Sequence, residues 1–140
     1  MRLVVDASIA VKWSVIEQDS DLAAKLIESD HELIAPELLA VEVANALTSA
    51  WRRRTIDGEH ADNAIARLPA IIGTFAPDAS LVADALILSR LLRHPVYDCM
   101  YLALAWRASA RVVSLDARFR IAVVNAGWDA FLVSLAEVVD

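Results

Sequence analysis

The sequence predicts an α/β fold in which a parallel sheet is covered by helices on both faces. Three observations predict it. Short apolar runs recur at residues 3–5, 32–35 and 111–114, each the length of a strand and too brief for a helix. The stretches between them carry apolar residues at helical spacing, and strands alternating with helices build parallel sheets buried on both sides. Two of the runs lead into a lone acidic residue, Asp6 and Asp116, at the carboxyl ends of strands where such sheets bind ligands.

Taken in order, residues 3–5 form a buried strand, and 6–8 read as the turn after it. Residues 21–29 have helical spacing, with Leu22, Leu26 and Ile27 on one side. A second strand over 32–35 leads to Pro36, a residue suited to the first turn of a helix, and the helical pattern runs on to about Arg53. Gly58 marks a break. The helix after it, from about 59 to 72, is expected to be interrupted near Pro69, since proline removes a helical hydrogen bond. Residues 79–92 are helical, and Pro95 opens a helix through about Ser109. Residues 111–114 are β-branched and read as a strand. A helix over 118–126 is closed by Gly127, and 128–134 read as a last strand.

At 140 residues the chain is expected to be one domain, residues 1–140, with room for a core of its own. Its apolar fraction is 58%, above the roughly 45–50% of soluble domains, and its mean hydropathy is +0.48. No run reaches the ~20 apolar residues of a membrane span; residues 68–77 are charge-free but too short. Asp6 breaks the first apolar run too early for a signal peptide. The excess apolar surface is expected to face a second chain. Cys99 is the sole cysteine, which excludes an intrachain disulfide or a cysteine zinc cluster and suits a reducing cytoplasm. A net charge of −6 excludes a protein that coats nucleic acid by charge alone, and it suits a basic partner. His31, His60 and His94 show no ligand spacing and read as ordinary surface or core residues. With Gly58, Gly73 and Gly127 as its only glycines, the chain has no glycine-rich phosphate loop. Trp13, Trp51, Trp106 and Trp128 read as packing or interface residues; Trp13, close behind the first turn, is the best exception.

Four acidic residues stand alone in apolar surroundings: Asp6, Glu42, Asp98 and Asp116. A buried carboxylate is unfavourable unless it is paired or holds a metal. Asp6 and Asp116 have a plain alternative as helix N-caps, and Asp98, in the first turn after Pro95, could serve the helix dipole. Glu42 shares a narrow polar stripe with Asn45 and Ser49 on an otherwise apolar helix. If the four meet, repulsion of about 4 kcal/mol per pair at roughly 4 Å requires protonation or a divalent cation. Oxygen ligands suit Mg²⁺ or Mn²⁺. Arg52, Arg53 and Arg54 are the one basic cluster, either a solvated helix end or a contact for RNA or a partner.

The blocks V-V-D-A-S-I-A-V-K-W, A-P-E-L-L-A-V-E-V-A-N-A-L, H-P-V-Y-D-C-M-Y-L-A-L-A and R-V-V-S-L-D-A-R-F resemble, in order and spacing, those of PIN-domain proteins, most closely the VapC-type ribonuclease toxins of bacterial toxin–antitoxin pairs. The resemblance implies a three-layer α/β/α fold with a central parallel sheet of four to five strands. It implies Mg²⁺ or Mn²⁺ held at Asp6, Asp98 and Asp116, with Glu42 a ligand or the group that orients water. Ser8, Asn45 and Ser114 are then expected to hydrogen-bond the carboxylates. The implied reaction is endonucleolytic hydrolysis of RNA leaving a 5′-phosphate and a 3′-hydroxyl. The implied partners are a second copy of the chain and a small VapB-type antitoxin whose tail can place an arginine in the acidic site. Many relatives carry a further acidic residue shortly after the fourth, whereas Asp116 is followed by Ala117, Arg118 and Phe119. One ion held tightly, with a second recruited by substrate phosphate, is the version expected here.

Two other readings compete. A receiver-type signalling domain has similar strand-end carboxylates but needs an acidic pair after the first strand and a lysine near the last. Val5 and Ala7 flank Asp6, and the only lysines are Lys12 and Lys25. The non-enzymatic alternative is a PIN-like binding module whose acidic pocket only docks a basic partner.

Overall fold

The sheet grows outward from β1 (Arg2–Val5), whose apolar residues Leu3, Val4 and Val5 are wholly buried. A computed structural model describes residues 1–139. Its five strands are β1, β2 (Glu32–Pro36), β3 (Thr74–Ala76), β4 (Arg111–Val113) and β5 (Leu132–Val133), in the spatial order β3-β2-β1-β4-β5. Every pairing is parallel, with Val4 opposite Ile34 on one side and Val112 on the other. Helices flank the sheet, giving the three-layer α/β/α arrangement and parallel sheet that the sequence predicted. The chain steps outward from β1 to β2 and β3, returns to place β4 on the opposite side of β1, and ends at β5. Beyond β1 and β4 the connections therefore depart in opposite directions, which opens a crevice at the carboxyl ends of these two strands.

The connecting helices are α1 (Ala7–Ala10), α2 (Ser20–Ile27), α3 (Leu38–Arg52), α4 (Gly58–Ile71), α5 (Val82–Leu92), α6 (Val96–Ala108), α7 (Ala117–Asn125) and α8 (Leu135–Val139). Helix α6 lies against β1, β2 and β4, and every residue from Cys99 to Ala105 is buried. Its uncharged run is thus the signature of a helix enclosed on all sides. It starts after Pro95 and ends at Ser109, which adopts the left-handed conformation (φ 52°) that closes helices. Gly127 does the same beyond α7, with φ 81°.

Several local expectations are corrected. Residues 6–8 are not a free turn, because α1 begins at Ala7. Pro36 ends β2 rather than starting a helix. The start of α3 is set from a distance: the Leu38 N–H donates to Asp78 Oδ1 (3.0 Å), and the Asp78 N–H donates to Glu37 Oε1 (3.1 Å). The expected break between helices falls at residues 53–57, Gly58 opens α4, and Asp57 caps it by accepting the His60 N–H at 2.8 Å. The helix passes through Pro69 uninterrupted. Pro69 is exposed, so the carbonyl left without its partner lies on a face that water can reach. Of the side expected to be apolar on α2, Leu26 is buried but Ile27 is exposed; Ala23 completes the buried face. Strand β3 and helix α8 were not foreseen. The expected strand over 128–134 shrinks to two residues, preceded by a 3₁₀ turn, Asp129–Phe131.

Among the described residues no helix is long and apolar enough to cross a membrane. Trp13 donates from its indole to the Ala23 carbonyl (2.8 Å), fixing the turn after α1 to α2. Trp106 meets Trp128 edge-on at 5.2 Å. Because α6 is the helix buried against the three central strands, Leu102→Ala is expected to lower stability by about 2–5 kcal/mol, measured by urea denaturation. A loss under about 1 kcal/mol would show that this packing is not central to the core.

Candidate active site

Asp6 leaves β1 at the crevice and is only 5% exposed. Its backbone carbonyl accepts the N–H groups of Ile9 (3.0 Å) and Ala10 (3.2 Å), so it stands at the N-cap position of α1, yet its side chain does not cap. Instead Oδ2 accepts the hydroxyls of Ser114 (2.5 Å) and Ser8 (3.0 Å). The same hydroxyl oxygens are acceptors in turn: Ser8 Oγ takes the Leu115 N–H (2.9 Å) and Ser114 Oγ the Asp116 N–H (3.1 Å). The ends of β1 and β4 are thereby stitched together around one carboxylate.

Glu42 sits on α3, half-buried, and its Oε1 accepts the hydroxyl of Tyr101 at 2.5 Å. Tyr101 is wholly buried and lies one helical turn after Asp98 on α6, so the two residues share a face. Asp98 Oδ2 is met by His94 Nε2 at 2.5 Å. With its proton on Nε2 the His94 ring donates this bond to the carboxylate. His94 is held in place by its own N–H donating to the Ser89 carbonyl (3.1 Å), by Ser89 Oγ donating to the His94 carbonyl (2.6 Å), and by the Phe119 ring at 5.6 Å. His94 was expected to be an ordinary residue, and its contact with Asp98 corrects that. Tyr101 lies within an apolar run and reads as core. The available signal was spacing: His94, Asp98 and Tyr101 lie four and three apart.

Asp116 does act as an N-cap, its Oδ1 accepting the Phe119 N–H at 3.2 Å. It joins the cluster through the backbone N–H it gives to Ser114 Oγ. Asn45 is exposed and makes no hydrogen bond to the carboxylates among the described residues, unlike the expectation. It lines a groove of ≈ 670 Å³ with Ser8, Lys12, Glu17 and Glu42. The lining also takes in the neighbours of the other three carboxylates: Ala7 beside Asp6, Tyr97 beside Asp98 and Leu115 beside Asp116. Arg52, Arg53 and Arg54 are exposed at the far end of α3.

The electrostatics are those of crowded anions. Burial pushes the Asp6 carboxyl above its ordinary range, the Ser114 and Ser8 hydroxyls pull it back, and the charge of Asp98 adds to the rise. Glu42 is also raised, first by burial and then by the charges of Asp6 and Asp98, with the Tyr101 hydroxyl opposing. Burial raises the Tyr101 phenol further and lifts the Cys99 thiol to about 12, so both stay protonated at neutral pH. Asp6, Glu42 and Asp98 thus lie within each other's fields, and the charges acting on Asp6 and Glu42 are carboxylates.

A hard divalent cation would supply the missing counter-charge, and oxygen donors are the set it takes. Among the described residues no three acidic, histidine or cysteine side chains close on one point. The arrangement is therefore an open set of carboxylates rather than a tight cage. That suits Mg²⁺, which keeps several waters and takes one or two carboxylates with substrate phosphate.

The PIN domain family model matches residues 3–124. Ribonuclease VapC3 of Pyrobaculum aerophilum is 33% identical to the chain over 120 residues, an alignment covering 83% of this chain and 90% of that protein.

Because the folded state raises the Asp6 carboxyl, its contribution favours folding while it is protonated and is lost as pH rises through the raised value. Asp6→Asn keeps an acceptor for both serine hydroxyls and removes the charge. In EDTA at pH 7 this variant is expected to melt higher than wild type, a gain of about 1 kcal/mol showing as roughly 4 °C. The gap should narrow as pH falls and Asp6 takes up its proton. Calorimetry finding a lower melting temperature at pH 7 would mean that the charge is already compensated.

Proposed function

This chain belongs to the PIN-domain family, and from that premise we propose that it is a Mg²⁺- or Mn²⁺-dependent endoribonuclease toxin of the VapC type, restrained by a cognate antitoxin. The observation that supports the reading is the gathering of Asp6, Glu42 and Asp98 at the β1–β4 crevice, where burial and the charges of neighbouring carboxylates raise the Asp6 and Glu42 carboxyls. The name of its archaeal relative, ribonuclease VapC3, supports the choice of RNA.

In this reading Asp6, Asp98 and Asp116 would hold the cation. When bound, it supplies charge to polarise a phosphodiester oxygen and lowers the pKa of water at the site. The chain does the rest. The Ser8 and Ser114 hydroxyls hold the Asp6 carboxylate in one rotamer, as supporting groups around such ligands do. Glu42, which opens on the groove, accepts a hydrogen bond from the attacking water and aims it at phosphorus. Lys12 also lines the groove, 3.9 Å from Glu17, and meets a substrate phosphate there. The net charge of −6 leaves the grip on RNA to these local groups and suits a basic antitoxin tail.

A second copy of the chain is the further partner proposed. Val82, Leu86, Ile87 and Leu91 of α5 are each about half exposed, apolar surface that a homodimer would cover. Wild type is expected to sediment as a dimer at micromolar concentration, and Leu86→Glu with Ile87→Glu as a monomer. A strictly monomeric wild type would remove the dimer.

One observation favours the alternative of a PIN-like binding module whose acidic pocket docks a basic partner: no three ligands close on one point among the described residues. Incubating the purified protein with assorted RNAs separates the two. Cleavage with Mg²⁺ or Mn²⁺, abolished by EDTA, is expected, and Asp98→Asn or Asp6→Ala should lower it by at least about 100-fold with the circular dichroism spectrum intact. Full activity in a folded variant would sink the assignment of these residues, and no cleavage of any RNA would favour the binding module.

A further inference from the structure

Each of the four carboxylates has one oxygen claimed by the protein. Two of these claims belong to the scaffold. The Ser8 and Ser114 hydroxyls on Asp6 Oδ2 tie two strand ends together, and the Phe119 N–H on Asp116 Oδ1 is a helix cap. The other two cap nothing and pair no strands. Tyr101 is wholly buried, and the one hydrogen bond of its hydroxyl goes to Glu42 Oε1, a side chain that opens on the groove. His94 Nε2 lies at hydrogen-bond distance from Asp98 Oδ2, and its ring is steadied by Phe119, the residue whose N–H caps on Asp116. Among the described residues no donor reaches Glu42 Oε2 or Asp98 Oδ1.

We propose that Tyr101 and His94 are positioning residues that occupy one oxygen of Glu42 and one of Asp98, so that each carboxylate engages the reaction centre through its other oxygen alone. The inference rests on the nuclease reading and deepens it by settling how Glu42 acts. A carboxylate with one oxygen held by a buried phenol is poorly suited to chelate an ion through both. It is well suited to present a single acceptor at a fixed angle to water. His94 likewise occupies one oxygen of Asp98 and leaves the other to face an ion, which would keep room for water and phosphate. Both donors come from the segment between residues 94 and 101, so the registry of α6 sets both carboxylates at once.

The alternative is that both contacts only staple α6 to its neighbours, and the test separates the two roles. Full-length Tyr101→Phe, His94→Ala and His94→Gln are compared with wild type. Mn²⁺ affinity is measured without RNA by the electron paramagnetic resonance of free Mn²⁺, and kcat and KM on labelled mixed-sequence RNA. Tyr101→Phe changes no packing volume beyond one oxygen, and its near-ultraviolet circular dichroism checks the fold. We expect Tyr101→Phe and His94→Ala to weaken Mn²⁺ binding or lower kcat by about 10–100-fold with KM unchanged. His94→Gln, which keeps a donor, should recover part of the loss. Wild-type Mn²⁺ affinity and kcat in Tyr101→Phe and His94→Ala, whatever their melting temperatures, would overturn the proposal. So would equal losses in His94→Ala and His94→Gln. A wild type that binds Mn²⁺ but cleaves no RNA would refute the nuclease reading and leave this inference to the affinity ratios alone. A wild type that binds no Mn²⁺ would overturn this one.

Discussion

The two hydroxyl bonds to Asp6 are the constraint around which the site is organised. A carboxylate at the end of the central strand is nearly withdrawn from water, which raises the free energy of its charged form. It is kept there by Ser8, two residues further along, and by Ser114, from the neighbouring strand. Because Ser8 and Ser114 also accept the N–H groups of Leu115 and Asp116, one set of short polar contacts fixes the carboxylate, the mouth of the crevice and the start of α7. Loosening any member would release the others.

From this point the rest follows by topology. The chain turns back on itself between β1 and β4, so the crevice receives residues from both halves of the sequence. Helix α3 brings Glu42 and α6 brings Asp98, and Tyr101 joins those two helices. The burial of α6 gives Asp98, Tyr101 and the preceding His94 a rigid base. Anions are gathered where the local dielectric is low and their mutual fields are strong. Such an arrangement stores unfavourable energy in the absence of a counter-charge and recovers it when one binds.

Much of this was legible in the sequence, for a physical reason. Asp6, Glu42, Asp98 and Asp116 stand out because charge is rare in apolar runs, and the order of strands and helices follows from period and length. The hidden parts are those whose chemistry resembles their surroundings. Tyr101 sits in M-Y-L-A-L-A and reads as core, which its ring is; only its hydroxyl belongs to the site. His94 precedes Pro95 and so reads as loop, and its relation to Asp98 crosses a helix start. Strand β3 is three residues beside Gly73 and Pro77, too short for any period, and it exists because β2 offers an open edge. Pro36 suits both a strand end and a helix start; here it ends β2, and α3 starts where the Leu38 N–H meets Asp78, forty residues further on. Asn45 shows the converse: a polar residue on the correct helix, one turn from Glu42, that lines the groove with it but hydrogen-bonds to no carboxylate among the described residues.

The return of β4 to the side of β1 has a consequence for biosynthesis. Residue 6 leaves the ribosome early, but its Ser114 partner and the strand that carries it come more than a hundred residues later. An incomplete chain has the first carboxylate and the helix bearing Glu42, yet it cannot enclose either. The long separation between paired segments delays closure in folding, and here it also delays assembly of the carboxylate cluster. The full set of acidic side chains is therefore brought together only after β4 has been made and paired beside β1.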